Sequence, residues 1–131
     1  MSNSGRVLVV EDDRFLRRAC ETSLRQRGFD VTAVTDGEEG LRLARVEPLP
    51  DIILLDLLMP KMPGIDVLRV LKADAATASI PVVILSNSSR VEDKQQAVEL
   101  GAAGYYVKAN LSLKELAAQV AQLIDGRGGP R

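Results

Sequence analysis

The stretch Ile52-Ile53-Leu54-Leu55-Asp56 places an unbroken aliphatic run directly before a carboxylate. Such a run is typical of a strand that is buried on both faces of a parallel sheet. Similar runs at Val7–Val10, Val82–Leu85 and Tyr105–Val107 also lead into polar residues. Because the carboxyl ends of parallel strands meet at one edge of a sheet, where ligands bind, we expect the residues that follow these runs to converge: Glu11, Asp12, Asp56, Ser86 and Lys108.

The segments between these runs have the periodicity of helices. Asp36 has the position of an N-cap for the second helix, and Ser112 with Glu115 forms a capping box before the last one. Asp30–Val34 adds a less apolar strand. The resulting repeats of strand and helix predict an α/β fold with a doubly wound, five-stranded parallel sheet. We expect the flavodoxin-like (βα)5 strand order 2-1-3-4-5.

Length and composition indicate one domain, which we place at residues 6–125 of a 131-residue chain. Residues 1–5 and 126–131 are expected to be disordered, and the second segment is either a natural tail or the stub of a linker. The formal charge of -1 includes no basic stripe, so direct nucleic-acid contact is not expected. No apolar stretch approaches the roughly 18 residues of a membrane span, and we expect a cytoplasmic protein.

The chain contains a single cysteine, Cys20, and no histidine. Cys20 lies on an apolar helical face and is expected to be a small buried hydrophobic residue. The absence of histidine excludes Ser-His-Asp and Cys-His catalysis and most zinc sites. Any nucleophile in this chain must therefore be activated by other groups.

Carboxylates gathered at one sheet edge repel one another unless a cation neutralises them. A cluster of oxygen ligands suits a hard ion, and Mg2+ is the ion that we expect at Glu11, Asp12 and Asp56. With the ion and Lys108 in place, one carboxylate could attack phosphorus and form an aspartyl phosphate. Ser86 could then donate a hydrogen bond to a phosphoryl oxygen.

Each of these residues alone has a simpler interpretation. A single acid after a strand is most often a turn former or a helix cap, and this is our prediction for Asp13. A single lysine is usually a solvated charge, and a single serine is usually a loop residue. The joint placement of Asp56, Ser86 and Lys108 at the ends of neighbouring strands is much harder to obtain by chance.

These residues also carry a resemblance to a known family. The chain resembles the receiver domain of bacterial two-component response regulators at residues 9–13, 51–64, 85–86 and 101–108. The second of these segments runs from Asp51 through Met59-Pro60-Lys61-Met62-Pro63-Gly64. The resemblance spans about Arg6 to Ile124, in the order and spacing of that family.

The resemblance implies a role for each matching position. Asp56 would be the phosphoacceptor, Asp12 a direct magnesium ligand, and Glu11 a residue that holds the ion partly through water. The backbone carbonyl of Leu58 would complete the coordination, and Lys108 would contact the phosphoryl group.

The resemblance further implies a switch and protein partners. Ser86 would be the switch hydroxyl and Tyr105 its aromatic partner on the fifth strand. The phosphodonor would be a histidine kinase or a phosphotransfer protein. A downstream target would bind the face formed by the fourth helix, fifth strand and fifth helix, and homodimer formation is a further option.

Some positions depart from the family pattern. Ala109 stands where the family usually has a proline in cis, and a cis bond without proline costs about 2.5 to 4 kcal/mol. The loop after Lys108 is therefore either trans and differently shaped, or strained. Asn87 is larger than the residue that the family favours and would crowd the phosphoryl site. Leu58 and Ser88 stand where the family tunes the lifetime of the acyl phosphate, and the rate stays open.

Two alternative functions remain, a degenerate receiver and a phosphohydrolase. Ala109 and Asn87 favour a degenerate receiver that binds partners without phosphorylation, although no acid or lysine is missing. A phosphohydrolase with an aspartyl nucleophile usually has a second Asp two residues later, where this chain has Leu58. The sequence therefore favours a signalling module over an enzyme with an outside substrate.

Overall fold

The computed structural model describes residues 5–59 and 61–128, with only the backbone described at 127 and 128. Residues 1–4 and 129–131 of the predicted disordered segments lie outside this range. The strands are β1 (Arg6–Val10), β2 (Asp30–Val34), β3 (Ile52–Asp56), β4 (Val82–Ser86) and β5 (Gly104–Val107). The helices are α1 (Arg14–Gln26), α2 (Gly37–Ala44), α3 (Gly64–Ala73), α4 (Val91–Glu99) and α5 (Leu113–Gly128).

The strands form one parallel sheet in the order β2-β1-β3-β4-β5. This arrangement confirms the predicted doubly wound fold. Because β1 and β3 are neighbours, the loops that follow Val10 and Asp56 lie beside each other at the carboxyl edge of the sheet. The strand order therefore brings the two acidic loops together.

Two apolar layers cover the two faces of the sheet. One layer joins the sheet to α1 and α5 and includes the buried Cys20, Leu24 and Val120. The other joins the sheet to α2, α3 and α4 and includes the buried Leu68 and Leu71. The central strands are buried on both sides, as their unbroken aliphatic runs predict.

The helix caps agree with the sequence signals. Oδ1 of Asp13 accepts hydrogen bonds from the backbone N–H groups of Phe15 and Leu16, at 2.9 and 3.2 Å. Asp36 caps α2 in the same way, and Oγ of Ser112 accepts from the N–H of Glu115 at 3.2 Å. The prediction that Asp13 is a helix cap is confirmed.

Helix α5 runs past the predicted domain end at residue 125 and reaches Gly128. Composition alone predicted disorder from Gly126 onward. Once a helix has formed, each added residue gains a backbone hydrogen bond at little further cost. The last turn of α5 can therefore form as an extension of the packed, apolar part of the helix.

The loop into α5 settles the question raised by Ala109. Among the described residues the one cis peptide bond joins Glu47 and Pro48, so the bond between Lys108 and Ala109 is trans. Lys108–Asn110 forms a short 3-10 helix before α5. The loop is therefore trans at this bond and carries no strained cis peptide. No helix in the described part of the chain is long and apolar enough to cross a membrane.

Candidate functional site

Three acids meet at the carboxyl edge of the sheet. Carboxylate oxygens of Glu11, Asp12 and Asp56 all lie within 4.8 Å of one another. Asp56 is 2% exposed and Glu11 is buried, whereas Asp12 is exposed. The pocket is therefore a buried pair of carboxylates with its opening on the Asp12 side.

Lys108 closes the other side of this pocket. Its Nζ lies 3.1 Å from Oδ2 of Asp56 and 3.0 Å from Oε1 of Glu11. It donates a hydrogen bond to Oε2 of Glu11 at 3.1 Å. The lysine side chain is only 13% exposed, so the ammonium is committed to these acids rather than to solvent.

Backbone N–H groups also hold one oxygen of each buried acid. Oε2 of Glu11 accepts from the N–H of Asp13 at 2.9 Å. Oδ1 of Asp56 accepts from the N–H of Leu58 at 3.1 Å. Each carboxylate is thus fixed by the loop that follows its own strand, which orients the other oxygen toward the pocket.

Burial disfavours the charged forms of the two acids. Burial raises the pKa of Glu11, and the neighbouring Asp56 raises it further. Burial also raises the pKa of Asp56 above its ordinary value. For Lys108, burial lowers the pKa, but Glu11 and Asp56 outweigh this and raise it overall. The lysine therefore stays charged in a pocket that carries an excess of negative groups.

The donor set fits a hard divalent cation. Oε1 of Glu11 and Oδ2 of Asp56 are buried and receive no hydrogen bond from the described residues, although Lys108 lies at ion-pair distance. Buried carboxylate oxygens without a donor have free coordination capacity, and oxygen ligands suit Mg2+. The exposed carboxylate of Asp12 offers a third ligand at the mouth of the pocket.

The predicted switch residues lie beside this pocket and are joined through one residue. Oγ of the buried Ser86 accepts a hydrogen bond from the N–H of Ser88 at 3.0 Å. The hydroxyl of Tyr105 donates to the carbonyl of Ser88 at 3.0 Å. Ser86 and Tyr105 lie on the paired strands β4 and β5, with Tyr105 opposite Ile84. The backbone of Ser88 therefore connects the two side chains.

The other predicted positions lie at the rim. Leu58 is 67% exposed, and Asn87 and Ala109 are also exposed. The crowding expected from Asn87 concerns a bound phosphoryl group and stays a prediction. The hydroxyl of Ser88 donates to Oδ2 of Asp93 on α4.

The fold and this geometry agree with known proteins. The family model "Response regulator receiver domain" matches residues 7–121, which is most of the chain. The chain belongs to the response regulator receiver family. The family that the sequence resembles is thereby confirmed.

Relatives of this receiver domain include transcription regulators. It is 42% identical over 126 residues to the transcriptional regulatory protein PrrA of Mycobacterium leprae. That alignment covers 96% of the chain and 52% of PrrA, so the chain spans about half the length of this relative.

Solved structures give the same result for the receiver fold. The receiver domain of the Francisella response regulator 1452 superposes with a TM-score of 0.85 at 32% identity, covering 92% of this chain and 96% of the other. The Mn2+-bound form of response regulator Rcp1 superposes with a TM-score of 0.77 at 29% identity, covering 91% of each chain.

One contact of the receiver pocket had no counterpart in the sequence analysis. Nη1 of Arg17 on α1 donates to the backbone carbonyls of Glu11 and Asp12, at 3.1 and 3.3 Å. The sequence offers only a weak signal for this contact, namely a basic residue in the first turns of the helix that follows the acids. Arg14 and Arg18 share that description and are exposed, so the sequence could not single out Arg17.

Proposed function

We propose that this domain is a phosphorylation-controlled receiver that accepts a phosphoryl group on Asp56 from a histidine kinase or a phosphotransfer protein. The observation that carries the proposal is the contact between Oδ2 of Asp56 and Nζ of Lys108 beside the carboxylates of Glu11 and Asp12. An acid that only capped a turn would need neither a buried lysine nor two further acids.

The residues that would hold Mg2+ are Glu11, Asp12 and Asp56, with the backbone carbonyl of Leu58. When bound, the ion would neutralise the carboxylates and the charge on the transferring phosphoryl oxygens. The hydrogen bond from the Leu58 N–H to Oδ1 leaves Oδ2 of Asp56 as the oxygen that faces the pocket. Lys108 already lies against Oδ2 and would contact the phosphoryl group after transfer.

In the proposed transfer, a carboxylate oxygen of Asp56 attacks the phosphorus of the donor. An O–P bond forms at Asp56 as the P–N bond of a phosphohistidine breaks, and the electron pair leaves with the imidazole nitrogen. The attacking carboxylate has no proton to lose when it pairs with Lys108, so no general base is required. This agrees with the absence of histidine from the chain.

Hydrolysis of the aspartyl phosphate ends the signal. Water attacks the phosphorus, the O–P bond to Asp56 breaks, and inorganic phosphate leaves while the carboxylate is restored. We propose no outside substrate, so the domain acts as a signalling module that catalyses only its own phosphorylation and dephosphorylation.

The switch proposal rests on the link through Ser88. A phosphoryl group on Asp56 brings acceptor oxygens to the end of β3, next to β4. If Ser86 turned its hydroxyl toward these oxygens, the Ser88 N–H would lose its acceptor and Tyr105 would lose a fixed partner. The result would be a population shift at the face formed by α4, β5 and α5.

This face is the proposed binding site for a downstream protein or for a second copy of the chain. Val91 and Val98 on α4 are 73% and 52% exposed, which suits binding to a partner. PrrA is named a transcriptional regulatory protein, and we propose an output of that kind through a DNA-binding partner. The receiver domain itself would not contact nucleic acid.

The test is incubation with acetyl phosphate and Mg2+, followed by intact mass measurement. We expect a transient adduct of one phosphoryl group that requires Mg2+ and is lost in Asp56→Asn. The matched control Asp66→Asn, which changes a half-exposed acid on α3 that pairs with Arg69, should still form the adduct. No adduct would favour the degenerate receiver, and rapid turnover of phosphomonoesters would favour a phosphohydrolase.

The switch has its own test. Ser86→Ala should still form the adduct, because Asp56 and Lys108 are unchanged. Its amide hydrogen exchange at β5 and α4 should no longer respond to acetyl phosphate. A full response in Ser86→Ala would contradict the coupling without affecting the phosphoacceptor assignment.

A further inference from the structure

The loop between β1 and α1 carries two of the proposed cation ligands, and its conformation is fixed from several sides. The Glu11 N–H donates to the carbonyl of Val34 at 3.1 Å. The Asp13 N–H donates to the Glu11 carboxylate, and the Asp13 carboxylate caps α1. These bonds use the N–H groups and carboxylates of Glu11 and Asp13 but leave the carbonyls of Glu11 and Asp12 to another donor.

Arg17 is that donor. One guanidinium nitrogen, Nη1, donates to both carbonyls, at 3.1 Å for Glu11 and 3.3 Å for Asp12. A planar guanidinium holds such a geometry at a lower entropic cost than an ammonium on a flexible stem. The backbone of Arg17 is itself anchored, because its N–H donates to the carbonyl of Asp13 at 2.9 Å.

We propose that Arg17 is a positioning residue of the cation site. It holds the carbonyls of Glu11 and Asp12 toward α1 and thereby fixes the loop whose carboxylates reach into the pocket. This inference rests on the proposed function, since it assumes that these carboxylates bind a divalent cation. Arg17 does not touch the ion, and it acts through the backbone of the ligand residues.

The charge of Arg17 and its hydrogen bonds predict effects of opposite sign. A positive charge near a cation site weakens cation binding, so removing that charge alone would strengthen it. Removing the two hydrogen bonds would instead release the loop, and the carboxylates would have to be ordered again on binding. The direction of the change in affinity therefore identifies which role Arg17 has.

The experiment measures the Kd of Mn2+ for the full chain from the electron paramagnetic resonance signal of free Mn2+. It is performed at about 0.15 M salt, where exposed charges are screened over roughly 8 Å. We expect Arg17→Gln to raise the Kd on the order of tenfold, as is typical when an outer partner of a metal ligand is removed. The control Arg18→Gln loses the same charge from an exposed position on α1 and should keep the wild-type Kd.

Arg17→Lys separates the effect of the charge of Arg17 from the effect of its hydrogen bonds. It also replaces Arg17→Gln as the test variant if Arg17→Gln does not fold. It keeps the charge, but the lysine side chain is one atom shorter and its flexible ammonium is less pre-organised to contact both carbonyls. We therefore expect a Kd above that of the wild type and no higher than that of Arg17→Gln. Folding of each variant is checked by circular dichroism. An unchanged or lower Kd in Arg17→Gln, or a wild-type Kd in Arg17→Lys, would overturn the positioning role.

The wild-type measurement distinguishes this inference from the proposed function. Mn2+ binding by the wild type that is lost in Asp12→Asn supports the cation site, whatever the Arg17 variants do. Absence of binding by the wild type would overturn the proposed function together with this inference. Wild-type binding with no effect of Arg17→Gln would overturn the inference alone.

Discussion

Lys108 reaches from the end of β5 to Asp56 at the end of β3, across the intervening strand β4, and its Nζ lies 3.1 Å from Oδ2 of that carboxylate. The same ammonium lies 3.0 Å from Oε1 of Glu11. With Asp12 at the mouth of the pocket, one cation faces three acids. Because the acids outnumber the lysine, the pocket has excess negative charge in the absence of a metal ion.

The first prediction is that Asp56→Asn stabilises the metal-free domain. The fold raises the pKa of both Asp56 and Glu11, chiefly through burial, so the charged forms are less favourable in the folded than in the unfolded chain. Neutralising Asp56 leaves the Lys108–Glu11 pair intact and should therefore raise the free energy of unfolding at pH 7. Urea denaturation with EDTA measures this change.

The control for this prediction is Asp125→Asn, an exposed acid near the end of α5, which should change the stability little. A clear loss of stability in Asp56→Asn would instead mean that the Lys108–Asp56 attraction outweighs the repulsion and desolvation. Excess Mg2+ should stabilise the wild type and have less effect on Asp56→Asn, because a ligand stabilises only the state that binds it.

The second prediction concerns the close contact between α3 and the end of β3. A Cβ added at Gly64 would lie 2.1 Å from the carbonyl oxygen of Asp56 and 2.6 Å from Cα of Leu57. Both neighbours are backbone atoms and cannot turn away. Gly64→Ala should therefore displace the loop that carries Asp56, cost about 3 kcal/mol of stability, and weaken Mn2+ binding.

Gly126→Ala is the matched control, and its expected effect on stability is opposite to that of Gly64→Ala. A Cβ at Gly126 meets nothing within 4 Å, and alanine favours helix over glycine. This variant should leave Mn2+ binding unchanged and stabilise the domain by about 0.5 kcal/mol. Equal destabilisation by both variants in thermal denaturation would contradict the steric explanation for Gly64.

The sequence predicted the site well where strand ends determine it. Asp56 and Ser86 each end a buried strand, so their places follow from the strand order alone. The sequence could not predict that Lys108 contacts Glu11 as well as Asp56, because a long side chain can reach several partners from one backbone position. It also could not predict that Ser88 links Ser86 to Tyr105. These contacts use the backbone of Ser88 and so do not depend on its residue type.

The end of α5 shows the limit of composition as a guide. The Gly-rich segment from Gly126 onward has nothing to bury, and disorder was the reasonable expectation. The helix continues to Gly128 because it begins at a capped, amphipathic segment. Local composition cannot report a helix that was started by residues farther back in the chain.

The third prediction tests the link through Ser88. Tyr105→Phe removes the hydrogen bond to the Ser88 carbonyl and should cost about 1 kcal/mol of stability. Tyr106→Phe is the control, since the Tyr106 hydroxyl makes no hydrogen bond within the described residues. Because Ser86 holds the N–H of the same residue, the effects of Ser86→Ala and Tyr105→Phe should be non-additive by about 0.5 kcal/mol or more. Strict additivity in the double-mutant cycle would contradict the link.

The last prediction concerns Cys20, the single cysteine of the chain, which is completely buried beneath the sheet. Burial raises the pKa of its thiol to about 12, against about 8.5 in an unfolded chain. Between these values the folded chain keeps a proton that the unfolded chain loses, so stability must fall as the pH rises. The contribution is about 1.4 kcal/mol for each pH unit once the unfolded thiol is mostly ionised.

Cys20→Ala lacks this proton and isolates its effect from those of lysine and tyrosine, which titrate in the same range in both proteins. Urea denaturation at several pH values from about 8 to about 10.5 should show the wild type losing stability more steeply than Cys20→Ala. The cavity left by the substitution adds a constant offset and does not alter the slope. Parallel curves would mean that the thiol reaches water in the folded state, which would contradict its place in the layer between the sheet and α1.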